Sequence, residues 1–440
     1  MIKYIYRMPL IIFWILAMIS FAESKSPNVV LIMADDLGYH DLGCYGHPKI
    51  KTPVIDELAQ EGVRLTSFYS GSTVCTPSRM ALLTGSYPVR YGWSKGVVGY
   101  MMKKEKGLSP KATTMAEVFK GAGYRTGIFG KWHLGDEPDF MPNNQGFDES
   151  FFINKSNNQT KKIWTGGEVT QNPFDNKLLT EQFTNGAKTF IRKNKDVPFF
   201  LYVPYSAPHF PLEAHPDWKG KSDYGVYGDV VEEMDARIGE ILTELKENEL
   251  SEKTIVVFMS DNGPEPLTKE SKAIPFRGKK WSALEGGNRV PCIIKSSGKS
   301  KGGTVYNKTV SAMDILPSLA DACGIDISER STDVPPIDGI NLWDELTGKK
   351  AEAEGRPDLL FWHGANGFQA IRMGAWKLFL NRRDAELSGE GPALFKVKDD
   401  IKERNDLSKL FPAIVTKMTG VASQRLDSIK KKSIPLGIVK

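Results

Sequence analysis

Residues 28–33 and 254–259 are apolar runs after a single polar first residue, and they stop at Asp35-Asp36 and Asp261-Asn262. Runs of this length without polar alternation read as strands covered on both faces, which is where strands of a parallel sheet between helices lie. The intervening chain supplies the helices. Thr52-Pro53 opens one that Gly62 closes, and 113–123 and 178–194 read as two more. Val230, Val231, Met234, Ile238, Ile241, Leu242 and Leu245 recur at helical spacing, while 124–130 and 198–203 read as further buried strands. Helices alternating with such strands predict an α/β fold, a mostly parallel central sheet sandwiched by helices.

Beyond about residue 340 the alternation gives way to short strand-like pieces at 358–363, 368–373 and 376–380, with a covering helix over 411–429. A small C-terminal antiparallel-sheet subdomain follows. The predicted organisation is a signal peptide over 1–22, a catalytic α/β domain over 23–345 and the C-terminal α+β subdomain over 346–440. The polar stretch 154–172 reads as a long surface loop that rims a site, and Lys430 to Lys432 as a solvated basic tail.

The signal-peptide reading rests on Lys3 and Arg7 ahead of the apolar stretch 9–21, with Ser20 and Ala22 as small residues at positions −3 and −1 of a cut. It predicts export to the periplasm or the extracellular space, with no membrane span in the mature chain. An uncleaved anchor is the alternative. The 58 Lys and Arg exceed the 53 Asp and Glu by only five, too slight an excess for a nucleic-acid binder. Cys44, Cys75, Cys292 and Cys323 are too few for a disulfide scaffold. With Cys75 used for chemistry, the other three allow one disulfide at most, and the sequence leaves the pair open.

Ligands of open parallel sheets collect beyond the carboxyl ends of the strands. Asp35, Asp36, Asp261 and Asn262 would converge there, and three carboxylates with an amide form a hard-oxygen set suited to Ca²⁺ or Mg²⁺ rather than zinc or copper. The segment Cys75-Thr76-Pro77-Ser78-Arg79 precedes a helical stretch that Thr76 could cap and Pro77 could start. Cys75 would then sit at a helix N-terminus, where free amides and Arg79 favour negative charge. Taken alone, this leaves both a thiolate nucleophile and an inert buried cysteine open.

Taken together, the motifs resemble those of the formylglycine-dependent type I sulfatase family, arylsulfatase-like proteins of the alkaline phosphatase superfamily. Cys75, Pro77, Ser78 and Arg79 match its signature. Residues 28–38, Gly130-Lys131-Trp132-His133-Leu134-Gly135, Ala207-Pro208-His209, Ser260-Asp261-Asn262-Gly263, Glu285-Gly286-Gly287 and Ala370-Ile371-Arg372 follow in the family's order. The resemblance implies an alkaline-phosphatase-like fold, and a maturation enzyme that converts Cys75 to formylglycine (3-oxoalanine), whose hydrate carries two hydroxyls. It implies that one of these, with Asp35, Asp36, Asp261 and Asn262, binds a divalent cation, usually Ca²⁺, with Mg²⁺ as the alternative.

The same resemblance implies the remaining roles. Arg79 and Lys131 would hold the formylglycine oxygens, and Lys280 and His209 would contact the sulfate. His209 would protonate the departing alcohol, with Lys280 its competitor, and His133 would take a proton from the second hydroxyl to expel sulfate. Lys279 is expected to be a solvated neighbour, and His40, His47 and His215 match no catalytic element. The implied function is a secreted sulfatase acting on sulfated oligo- or polysaccharide, a substrate class favoured by Trp164, Trp218 and His363 in loops. The alternatives are a phosphonate or phosphodiester hydrolase of the superfamily, and a catalytically silent glycan-binding protein on the same scaffold.

Overall fold

The computed structural model describes residues 26–439 apart from 104, 297–300, 329–332, 351 and 385. The expected signal peptide lies outside the described residues. Among those described, no helix is long and apolar enough to cross a membrane.

Ten strands form the main sheet. They are β1 (Asn28–Ala34), β2 (Val63–Leu65), β3 (Arg125–Lys131), β4 (Glu149–Ile153), β5 (Ile163–Thr165), β6 (Glu168–Gln171), β7 (Phe199–Pro204), β8 (Thr254–Ser260), β9 (Cys292–Ser296) and β10 (Thr304–Tyr306). Their order is β6-β5-β4-β3-β7-β1-β8-β9-β2-β10. The five central strands from β4 to β8 in that order are parallel. The flanks turn antiparallel at β6-β5-β4 and β8-β9-β2, and β10 pairs parallel with β2.

Alternation along β1 divides the core into two layers. Val30 and Ile32 pack with α1 (Pro53–Glu61), α4 (Leu179–Lys193) and α5 (Gly225–Glu247). Val29, Leu31 and Met33 pack on the other face with α2 (Cys75–Thr84), α3 (Met115–Gly121) and α6 (Ile315–Ala322). All of β1 is buried, which explains why it carries no polar residue after Asn28. The capping of α1 differs from expectation. The Thr52 hydroxyl makes no cap bond but accepts from Gly43 N, and Asp235 of α5 accepts the amides of Val54 and Ile55 instead. Gly62 ends the helix in an extended conformation.

The C-terminal antiparallel sheet runs β11 (Asp358–His363), β12 (Gly367–Met373), β13 (Trp376–Phe379) and β14 (Ala393–Lys396) in spatial order. It shares the second apolar layer with the main sheet, through Leu359, Phe361, Ile371 and Leu378, and α7 (Pro412–Lys431) packs there through Met418, Ala422 and Ile429. The boundary expected after 345 falls inside the helical turn Trp343–Leu346. No disulfide joins the four cysteines. The stretch 154–172 is only half a loop. Its second part is the β5-β6 hairpin, turned by Gly166 and Gly167, both at positive φ.

Candidate active site

β1 and β8 are adjacent and parallel, with Ala34 opposite Ser260, so the residues that follow both strands emerge side by side. Asp36 N–H donates to Asp261 Oδ1 at 3.1 Å, and the Asn262 amide donates to Asp36 Oδ1 at 2.7 Å. Helix α2 brings Cys75 to this cluster. Its Sγ lies 3.4 Å from Asp35 Oδ1 and 3.9 Å from Asp36 Oδ1. Cys75 is the first residue of α2, as the sequence implies, but Val74 is the N-cap and Thr76 caps nothing. The Thr76 hydroxyl instead donates to His133 O and accepts from Val98 N, tying the helix start to two other loops. Pro77 costs the helix little, because the first amides of a helix have no intrahelical acceptor.

Arg79, one turn on, donates through Nε and Nη2 to Asp261 Oδ2 and through Nη1 to Lys131 O. Lys131, at the end of β3, places Nζ 2.5 Å from Asp35 Oδ2. Lys280 Nζ lies 2.7 Å from Asp36 Oδ2 and 3.2 Å from Glu265 Oε2. Three cations, Arg79, Lys131 and Lys280, thus face four carboxylates, Asp35, Asp36, Asp261 and Glu265, all buried. Two histidines flank them. His209 donates from Nδ1 to Phe210 O and directs Nε2 toward Asp36 Oδ2 at 3.6 Å. His133 sits at φ +61° and donates from Nε2 to Val98 O, leaving Nδ1 buried with no hydrogen-bond partner.

Burial raises the Asp35 pKa, but Lys131, His209, Arg79 and Lys280 together outweigh it and hold the carboxyl well below its usual range. Burial, reinforced by Asp35, pushes Asp261 up to about 7. Burial lowers His209 to about 4 and, with Lys131 adding, holds His133 well below its ordinary value, so both rings are neutral near pH 7. Burial also works against charge on Lys280, yet Asp36 more than offsets it and keeps the ammonium protonated.

Asp35, Asp36, Cys75 and Asp261 each offer a ligand atom, and these atoms all lie within 4.8 Å of one another. The Asn262 Oδ1 is buried beside them with no hydrogen-bond partner. An orphaned acceptor in a ring of carboxylate oxygens is what a hard divalent cation completes, so the donor set fits Ca²⁺ or Mg²⁺.

A cavity of about 560 Å³ opens above this cluster, with Cys75, His133, His209 and Lys280 in its lining. The first part of the polar stretch contributes Ser156, Asn158 and Gln159 to the wall, and β11 contributes His363. Trp164 and Trp218 are not in the lining; they pack against the two apolar layers. Lys279 is not simply solvated, since its Nζ donates to Ser271 O and Thr268 O. His40 and His47 lie against each other, and His215 faces Glu181, away from the catalytic cluster.

Sequence reasoning placed Ser78 and Ser260 in motifs but gave neither a role: the Ser78 hydroxyl donates to Asp261 O, and Ser260 accepts Leu37 N–H. It missed Glu265 and Trp281, which line the cavity. Position next to the motif residues is the one signal for Glu265 and Trp281, and it does not reveal which way a loop side chain turns.

The family model described as Sulfatase matches residues 27–325. The chain is 32% identical to the N-acetylgalactosamine-6-O-sulfatase of Bacteroides thetaiotaomicron, covering 93% of this chain and 94% of the relative. It is 30% identical to the steryl-sulfatase of Homo sapiens, covering 91% and 87%. Among solved structures, Ps i-CgsB in complex with k-i-k-neocarrahexaose superposes with a TM-score of 0.79 at 30% identity, over 93% of this chain and 94% of that one.

Proposed function

This chain belongs to the sulfatase family and is a sulfuric ester hydrolase, and from that premise we propose that it removes sulfate from sulfated oligo- or polysaccharide. The observation that carries the reading is Cys75 held against three carboxylates, with Arg79, Lys131 and Lys280 around them, in a cavity whose walls mix apolar and aromatic side chains with polar ones. Two features favour carbohydrate over sterol. Ser156, Asn158, Gln159 and His363 give the walls groups able to bond sugar hydroxyls, and a similar solved structure holds a neocarrahexaose, while the curated relatives include both an N-acetylgalactosamine-6-O-sulfatase and steryl-sulfatases.

In this reading the side chains divide the work. Oxidised to formylglycine and hydrated, position 75 supplies an attacking hydroxyl and a second one whose deprotonation releases inorganic sulfate. A cation held by Asp35, Asp36, Asp261 and Asn262 with an oxygen at position 75 would lower that hydroxyl's pKa and neutralise sulfate charge. Arg79 and Lys131 hold the oxygens at position 75, and Lys280 and His209 grip the sulfate. The charge of a bound sulfate ester raises the pKa of His209 from its low resting value, which lets it protonate the leaving alcohol. His133 presents an unprotonated Nδ1 as the base for the second hydroxyl. The reading includes export to the periplasm or extracellular space, activation by a formylglycine-generating enzyme, and a catalytic domain over 23–345 followed by the 346–440 subdomain.

Mass spectrometry of the peptide containing Cys75, from the native host, tests the nucleophile: the expected product is the aldehyde, and an unmodified thiol in active enzyme overturns it. Sulfate release from sulfated galactose, glucosamine and galactosamine saccharides tests the substrate class. Turnover of a steroid sulfate with none of these saccharides overturns the carbohydrate reading.

A further inference from the structure

One wall of the cavity is built on backbone that a bulky residue rarely adopts. Trp281, which follows Lys280, has φ +81°, a region open at low cost to glycine. Such a conformation persists only where the surroundings over-determine it, and here they do. Its N–H donates to Thr73 O at 2.9 Å, and its carbonyl accepts from Gly364 N at 3.2 Å. A Cβ at Gly364 would lie 2.6 Å from the indole Cε3, so the absence of a side chain there lets the ring lie against the turn after β11. Tyr100 meets the indole edge-on, with ring centroids 5.8 Å apart and planes at 79°, and remains 57% exposed. His363 accepts at Nδ1 from the N–H groups of Ala365 and Asn366, at 3.0 and 3.2 Å. A neutral ring so held carries its proton on Nε2. Trp281, Tyr100 and His363 all line the cavity that reaches Cys75 and Lys280.

We propose that Trp281 is the specificity-determining residue of this enzyme. Its indole stacks on the pyranose ring that bears the sulfate, Tyr100 closes the edge of the platform, and His363 Nε2–H donates to a hydroxyl of that ring. This rests on the carbohydrate reading above and adds the side chains that select the ring. A sugar offers C–H groups on its face and hydroxyls around its rim, matching an aromatic wall opposite polar groups. A sterol would cover the indole but leave Ser156, Asn158 and His363 desolvated without partners.

The test compares wild type with Trp281→Gly, which suits the backbone, and Trp281→Phe, which keeps an aromatic face. Each is assayed on a sulfated galactosamine oligosaccharide, on nitrophenyl sulfate and on a steroid sulfate. In Trp281→Gly, kcat/KM on the saccharide falls about tenfold more than on the aryl sulfate, mainly through KM, and Trp281→Phe recovers most of that difference. If Trp281→Gly does not fold, His363→Ala gives the second reading, with the same ratio falling about threefold. Parallel losses on saccharide and aryl sulfate would reduce Trp281 to packing for Lys280 and overturn the proposal. A loss confined to the steroid sulfate would overturn it in favour of a sterol wall. A wild-type enzyme that desulfates no saccharide defeats the carbohydrate reading itself. Wild-type turnover with unselective variants defeats only the role of Trp281.

Discussion

Cys75 as a thiol is a poor nucleophile in this site, because burial pushes its pKa well above the ordinary value and it stays uncharged at neutral pH. This agrees with the proposal that oxygen, not sulfur, reacts at this position. In Cys75→Ser the chain should fold and bind cation yet stop after one turnover, since serine lacks the second hydroxyl; continuous release of sulfate would contradict this. His209→Ala should slow alkyl sulfates about 10²–10⁴-fold and activated aryl sulfates much less, measured as kcat on the two classes. Equal losses assign proton donation to Lys280. At this scale the motif residues were legible because their chemistry restricts the choice of side chain. Thr76 was misread because a hydroxyl suited to capping serves equally well in a tertiary bond, here to His133 O and Val98 N.

The segment that carries Lys280 and Trp281 is fastened from below by the C-terminal sheet. Asp384 accepts from Ser282 Oγ and Ala283 N, Glu403 accepts from Glu285 N, and the fully buried Lys377 bridges Glu285 and Glu403 at 3.0 Å each. Burial pushes Glu403 up to about 7 from its ordinary 4.5, with Lys377 opposing and Glu285 adding. A carboxyl raised in this way binds its proton more tightly folded than unfolded. The stability it contributes is full below about pH 4.5 and is lost as pH rises through about 7. Melting temperatures from pH 5 to 8 should therefore fall more steeply for wild type than for Glu403→Gln, and identical slopes would refute this. The buried strands were legible to within about a residue because a doubly covered strand keeps its polar residues to its ends. The β5-β6 hairpin escaped notice because its outer strand, Glu168–Gln171, is mostly exposed and lacks an apolar pattern, although the Gly166-Gly167 pair was a usable turn signal.

Across the molecule, the cluster at the ends of β1 and β8 sets four carboxylates, Glu265 included, against three cations, and a divalent ion would turn that excess of negative charge into a net positive one ready for an anionic ester. Chelation should abolish turnover, and Ca²⁺ should restore it and raise the melting temperature, by about 2.7 kcal/mol of added stability at a hundredfold excess over Kd. Unchanged melting and activity after exhaustive chelation would remove the cation from the account. Asp261→Ala should lose both responses together. The layer architecture was legible from alternation alone, whereas the sharing of one apolar layer between the two sheets was not. A single sequence marks which residues are buried but not which element covers them.

The depth of Cys75, 1% exposed in the finished protein, sets an order of events. Any catalyst that exchanges its sulfur for oxygen has to reach the side chain while α2 is still an open strand of polypeptide. On the proposed conversion of Cys75, collapse of the core is the deadline for activation, and a chain that misses it keeps a thiol where the proposed chemistry uses two hydroxyls.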